Sequence, residues 1–295
     1  SLNTLFSSCW QGAQKTLYAS LLQNTLVPII YIFQLIFIYL LDINKSATNL
    51  LSAYVISICV VTLLGAYSWY SQSSAKLYLE HSIDNALLKR LSSFALIVLM
   101  NSTIIWSSQY AVATYLGDLE FALFNAAQRL AMLIGIVAVA VNFVVSPLFA
   151  KAQVGDDYNS LRLASLKGIR ISMIMATPML IFILIFPSIP LSLFGSSYGD
   201  AANFLRILAL CQFINIITGP TASLLTMTGY EKDLKNILLV IGIFACTTTF
   251  LLAYFFGVVG ALIASLSTFS AQSVLVAYFV YKRLGFTPFF QLFNK

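Results

Sequence analysis

The 295-residue chain is 60% hydrophobic and only 9% charged, with a mean hydropathy of +0.90. Soluble domains carry about a quarter charged residues, so the composition excludes a soluble globular protein and predicts an all-α, polytopic membrane helix bundle. The net charge of +6 lies in short loops, which excludes a nucleic-acid partner and fits a positive-inside topology.

Residues 1–18 carry Lys15 as their only charge and read as a cytoplasmic lead-in. A first span covers about 19–41, with Gln23, Asn24, Pro28 and Gln34 inside it, and a second covers about 47–69, closing in Tyr67, Trp69 and Tyr70 at an interface. The longest polar segment follows at 71–90. It holds Lys76, Glu80, His81, Asp84, Lys89 and Arg90, while Leu77, Ile83, Leu87 and Leu91 give it a partly apolar face. This pattern predicts an amphipathic helix lying on the membrane and joining two bundles. His81, the sole histidine, fits either a pH sensor or an ordinary solvated residue.

The third span covers about 92–114, with Asn101 and Ser108 one heptad apart. Tyr110 and Tyr115 near its end fit either stacking on a sugar or an interfacial belt. The fourth span, about 120–147, carries Asn125, Gln128, Arg129 and Asn142 within one arc of its helical wheel, with Gly135 and Ser146 beside them. A guanidinium here faces other helices or a wet cavity more cheaply than lipid, which makes Arg129 a candidate functional residue. Snorkelling or bonding to a neighbouring carbonyl is the structural alternative.

A polar segment at 151–170 precedes the fifth span, which runs to about 186 with Pro178 inside and Pro187 and Pro190 ending it. The sixth, about 201–227, contains Arg206, Gln212, Asn215 and the Gly219-Pro220 pair, where a bend is expected. The seventh and eighth, about 234–256 and 258–281, are almost contiguous, and Ser265, Thr268 and Gln272 share a face of the last.

Lys76, Lys89 and Arg90, then Lys151, Arg162, Lys167 and Arg170, then Lys232 and Lys235, then Lys282 and Arg283 fall in alternate loops. About eight spans with both ends cytoplasmic satisfy every loop. The ten acidic residues all lie in loops or at span ends. A cation or proton antiporter usually needs an embedded carboxylate. Embedded Arg129 and the shallower Arg206, about one turn into its span, instead favour an anion, and phosphate above others, because the guanidinium fork meets phosphate oxygens in pairs. Snorkelling to the interface is an equal alternative for Arg206. No nucleotide-binding glycine loop and no metal-ligand spacing occurs, and Cys9, Cys59, Cys211 and Cys246 are scattered. Neither enzyme chemistry, a cofactor nor a metal is expected.

Four motifs occur in order: Phe124-Asn-Ala-Ala-Gln-Arg129-Leu-Ala, Asn142-Phe-Val-Val-Ser-Pro147-Leu-Phe-Ala, Leu193-Phe-Gly-Ser-Ser-Tyr198 and Met227-Thr-Gly-Tyr-Glu-Lys232. Together they resemble the Wzx-type polysaccharide flippases of the multidrug/oligosaccharidyl-lipid/polysaccharide exporter superfamily. The resemblance implies two six-helix lobes around a central cavity. On that plan, residues 1–72 supply the last two spans of the first lobe, 73–91 the inter-lobe connector and 92–295 the second lobe, with the first four spans missing. It further implies a bacterial inner-membrane flippase that moves an undecaprenyl-diphosphate-linked oligosaccharide, an O-antigen or capsular repeat unit, to the periplasmic leaflet in lipopolysaccharide biosynthesis. Membrane lipids, a polysaccharide polymerase and a chain-length regulator are the partners so implied. Arg129 and Arg206 would offset the diphosphate, and Asn125, Gln128 and Asn142 would bond headgroup or sugar hydroxyls. A cation-coupled drug antiporter of the same superfamily, a membrane-embedded polysaccharide-assembly enzyme and a non-transporting scaffold are the alternatives.

Overall fold

A computed structural model describes residues 2–12, 18, 21–41, 46–72, 85–155 and 157–286. The connector expected at 73–91 falls mostly outside these residues, as does His81. The described elements are helices joined by short turns, and contacts divide the chain into two compact units, Ser1–Ser82 and Ile83–Lys295.

In the first unit, α1 (Leu2–Gly12) precedes a π-helical turn (Leu21–Thr25), α2 (Leu26–Leu40) and α3 (Ala47–Gln72). Its small core is Trp10, Leu22 and Val61, with Trp69 packed alongside. Polar bonds pin the elements to one another. The Trp10 indole donates to Ser68 Oγ at 3.3 Å, Asn3 Nδ2 to the Leu22 carbonyl at 2.8 Å, and Ser57 Oγ to Gln34 Oε1 at 3.0 Å. Phe33, Phe37, Leu40 and Leu63 are exposed on α2 and α3. Apolar side chains turned outward, with backbone bonds closed inside each helix, make a lipid-facing surface.

The second unit contains α4 (Asn85–Tyr115), α5 (Asp118–Val154), α6 (Tyr158–Ile185), the short α7 (Ser188–Ser192), a 3-10 turn (Ser196–Ala201), α8 (Ala202–Ile217), α9 (Thr221–Met227) and α10 (Glu231–Leu284). α10 is a hairpin. Gly257 at φ 62° and ψ −143° reverses the chain, and residues 231–256 and 258–284 form two arms. The arms touch backbone to backbone, since a Cβ on Gly260 would collide with the Leu252 carbonyl. At their far ends Arg283 Nε donates to Asp233 Oδ2 at 2.6 Å.

Among the described residues, six helices are long and apolar enough to cross a membrane. α10 is long enough for two crossings, one per arm, and α2 with its π turn is a further short apolar segment. This is the expected polytopic bundle. Helix bounds differ from the sequence pattern in three places, each for a physical reason. The described residues of the polar segment at 151–170 are helical except at Gly155 and Asp157. Asp157 caps α6 by accepting the Ser160 backbone N–H at 3.0 Å, and Leu161 and Ile169 are buried beneath the charged face of Arg162 and Lys167. The apolar span covers Leu91–Tyr115 and residues 85–90 are helical and continuous with it in α4, while the rest of the segment expected as a connector lies outside the described residues. The sixth span is broken into α8 and α9, because Gly219 sits at φ +75° and Pro220 has no N–H to give.

Two hydrophobic cores are stacked along this unit. One gathers Phe124, Leu130, Ile134, Leu180, Leu205 and Leu208; the other gathers Ile104, Val145, Phe149, Leu161, Leu224 and Leu238.

Candidate functional site

α5 holds four of the five candidate residues. Phe124, Ala127, Leu130, Ala131 and Ile134 are buried in the first core, which fixes the rotation of the helix and turns Arg129 outward. The guanidinium is exposed, and its Nε donates to Asn125 Oδ1 one turn back at 3.1 Å. No carboxylate pairs with Arg129 among the described residues. Gln128 is buried against α4, where its Nε2 donates to the Ile105 carbonyl at 3.2 Å. Its Oε1 is buried with no hydrogen-bond partner among the described residues.

Asn142 lies 13 residues beyond Arg129, roughly 20 Å along the helix at 1.5 Å per residue. It lines a polar cavity of about 150 Å³ together with Asn101 of α4, Asn215, Thr218 and Ser223 around the α8–α9 break, and Gln272 and Ser273 of the second α10 arm. The cavity lies where the two cores meet. Asn101 stands between Ile97 and Ile104 of one core, and Asn142 stands between Val137 of the other and Val145. The break supplies its floor: Gly219 N–H donates to the Ile216 carbonyl at 2.9 Å, and Thr221 N–H donates to the Gly219 carbonyl at 2.8 Å. Ser146 Oγ and Ser223 Oγ share a hydrogen bond of 2.5 Å across α5 and α9. Asn142 Oδ1 and Ser273 Oγ are buried with no partner among the described residues.

Every lining side chain is neutral. The cavity offers carboxamides, hydroxyls and carbonyls but no titratable group, so acid–base chemistry has no agent there. No group of three or more His, Cys, Asp or Glu suited to a metal occurs among the described residues.

Arg206 is elsewhere again. Its Nε donates to the Leu184 carbonyl in the last turn of α6 at 3.1 Å and its Nη1 to Asn203 Oδ1 at 3.0 Å. A guanidinium in this position satisfies the free carbonyl end of a helix. The structure thus pairs Asn125 with Arg129, seats Gln128 between helices, places Asn142 in the polar cavity and spends Arg206 on backbone. Asn215, Thr218, Ser223 and Ser273 were not singled out together by sequence reasoning. Asn215, Thr218 and Ser223 share the signal of polar residues flanking a Gly-Pro break in an apolar span, and Ser273 that of a polar residue within one.

The family profile described as MatE matches residues 92–255, more than half of the chain. An uncharacterized membrane protein of Methanocaldococcus jannaschii is 23% identical over 291 residues, covering 96% of this chain and 57% of that protein. Among solved structures, a MATE protein in the bent conformation superposes with a TM-score of 0.76 at 18% identity, over 96% of this chain and 65% of its own. The outward-facing conformation of a multidrug resistance MATE family transporter of the MOP superfamily gives 0.74 at 17% identity, over 96% and 66%. A MOP superfamily transporter from Pyrococcus furiosus, described by the reverse polarity of its binding pocket and a different function suggested by it, gives 0.73 at 17% identity, over 96% and 66%. The chain therefore spans 57% of the archaeal relative and about two thirds of these structures.

Proposed function

Because the chain belongs to the MatE family, we propose that it is the larger part of a flippase that moves a polyprenyl-diphosphate-linked oligosaccharide across the membrane by alternating access. Residues 1–72 would be the last two spans of an N-terminal lobe, 73–91 the connector and 92–295 the C-terminal lobe. The observation that carries the anionic cargo is Arg129: an exposed guanidinium within a membrane helix, bonded to Asn125 and paired with no acid among the described residues. A cation carrier would need the opposite charge at such a place. The membrane-crossing stretches of this chain keep their acids at the ends. The pocket of reverse polarity described for the Pyrococcus furiosus transporter is a parallel in a protein of the same fold.

Arg129 offers its free Nη groups to a diphosphate while Asn125 holds the Nε side. The neutral cavity at Asn142 supplies the hinge about which α8 and α9 change angle, as expected of transporters with interrupted helices. On this reading both ends would face the cytoplasm of a bacterial cell, and a polysaccharide polymerase and a chain-length regulator would be partners in the same membrane.

The test is Arg129→Ala in the complete gene product. Surface polysaccharide should be lost while membrane insertion is unchanged, and Arg129→Lys should recover part of it because the charge returns without the fork. Wild-type polysaccharide in Arg129→Ala would refute the role. Drug resistance conferred by the wild-type protein and lost in the mutant would favour the antiporter reading instead.

A further inference from the structure

A groove of about 370 Å³ opens between α4 and the first arm of α10. The two helices are clamped at both ends of it. Toward the basic end, Gly242 allows close approach: a Cβ there would lie 2.9 Å from Met100 Sδ. Toward the other end, Tyr115 meets Phe250 and Tyr254 edge-on, with ring centroids 6.1 and 5.6 Å apart. Between the clamps the walls include Ser102, Thr103, Trp106, Ser107, Tyr110 and Phe250.

Trp106 and Tyr110 stand one turn apart with ring centroids at 6.3 Å, and they are 50% and 63% exposed. An interfacial belt explains Tyr110 but not Trp106. The indole lies nine residues short of the α4 terminus, about 13 Å deeper along the helix than Tyr115, below the headgroup level where aromatic belts sit. Its N–H meets no acceptor among the described residues. Left in hydrocarbon, that donor would carry a desolvation cost. The three small hydroxyls donate to carbonyls of their own helix: Ser102 to Val98 at 3.0 Å, Thr103 to Leu99 at 2.9 Å and Ser107 to Ile104 at 3.0 Å. Their oxygens keep lone pairs free to accept.

The groove therefore presents three aromatic rings (Trp106, Tyr110 and Phe250) with Leu99 and Cys246 beside them, and among these an indole donor, a phenol and three hydroxyls able to accept, with no charged side chain. A lipid tail would use the rings and leave the N–H unpaired. A phosphate would meet acceptors and no cation. A pyranose uses both kinds of wall, with a C–H face for the rings and hydroxyls that donate to the serine and threonine oxygens and accept from the indole. We propose that this groove is a carbohydrate subsite, with Trp106 and Tyr110 as its stacking platform and Ser102, Thr103 and Ser107 as its acceptors. This rests on the reading that the cargo is a glycosylated lipid, and it adds the place where a sugar ring is held.

The probes are the neutral trisaccharides maltotriose and chitotriose, titrated into nanodiscs carrying the complete gene product while tryptophan emission is read. A saturable emission change is expected with at least one of them. It should vanish in Trp106→Phe, which keeps a ring but loses the reporting indole and its donor. It should require roughly threefold to tenfold more sugar in Tyr110→Ala, the size of one lost aromatic contact. Absence of any sugar-dependent change overturns the proposal, as does an unaltered change in Trp106→Phe. A response to tetraphenylphosphonium with none to either sugar overturns it in favour of a cationic ligand. Arg129→Ala separates the two ideas. If it abolishes polysaccharide export while Trp106 ignores sugar, the subsite fails and the anionic-cargo reading stands; if export persists while Trp106 responds, the reverse holds.

Discussion

Gly219 offers the sharpest test of how the interrupted sixth span is built. At φ +75° an L-residue costs about 1–2 kcal/mol relative to glycine. A Cβ would also meet Ile169 Cγ1 at 2.8 Å and Cδ1 at 3.0 Å. Ile169 is fully buried in α6, so it has little room to move, and overpacking of this kind costs about 1–3 kcal/mol. Gly219→Ala should therefore destabilise the second unit by about 2–5 kcal/mol, the sum of the two effects. Gly229 isolates the first effect, because it sits at φ +85° with nothing within 4 Å of its would-be Cβ, and Gly229→Ala should cost only about 1–2 kcal/mol. Unfolding in detergent can be followed by the reactivity of Cys211, which is 1% exposed, in a background where Cys9, Cys59 and Cys246 are alanine. The double variant Gly219→Ala/Ile169→Ala should fall short of the sum of its singles by about the crowding effect, 1–3 kcal/mol. If Gly219→Ala and Gly229→Ala melt together, or the double variant is additive, the crowding argument is wrong.

Two further substitutions probe the ends and the middle of the helices. Asp157 is held below the usual carboxylate range chiefly by the Ser160 hydroxyl and then by the Ser160 backbone N–H. A lowered folded-state pKa means that the cap stabilises α6 above pH 3.8 and is lost as pH falls through the lower folded value; Asp157→Ala should speed amide exchange in the first turn of α6 at neutral pH and abolish its acid dependence. Gln128 has a buried, unpartnered Oε1, so Gln128→Leu, which removes both the bond to Ile105 and the orphan, should change stability by under about 1 kcal/mol. Normal folding with lost export in that variant would place the Oε1 on the cargo, and normal export would make the residue helix glue.

The bundle itself was legible because its causes are local. Apolar length, basic loops and Gly or Pro at the turns are written along the chain, and the hairpin at Gly257 needed nothing else. The interiors of the spans were less legible, because which polar residues meet depends on the register between helices. Asn101, Asn142, Gln272 and the Gly219-Pro220 pair each stood out alone. Their meeting in one cavity follows from how α4, α5 and the second α10 arm are offset, which short loops and close contacts such as Gly242 against Met100 decide. Arg206 shows the converse. Its depth in the sixth span could be counted, but its carbonyl partner Leu184 lies at the end of the preceding span, and the turns at 186–201 set how far apart the two come.

That geometry also divides the labour along α5. Arg129 and Asn142 are on one helix but about 20 Å apart, beyond the reach of any single headgroup contact. On the proposed reading, charge and hinge would therefore be separate parts. Arg129 stands exposed, where its field can act on what approaches. The break at 218–220 is packed among neutral carboxamides and hydroxyls, where a change of angle between α8 and α9 would exchange one neutral hydrogen bond for another. An ionised group in that layer would have to be desolvated or re-paired at each such change, at a cost of several kcal/mol in a low-dielectric interior. On the reading proposed above, an uncharged layer would let the sixth span bend without moving a charge through the core, and the electrostatic part of the task would fall to Arg129, a residue outside the break.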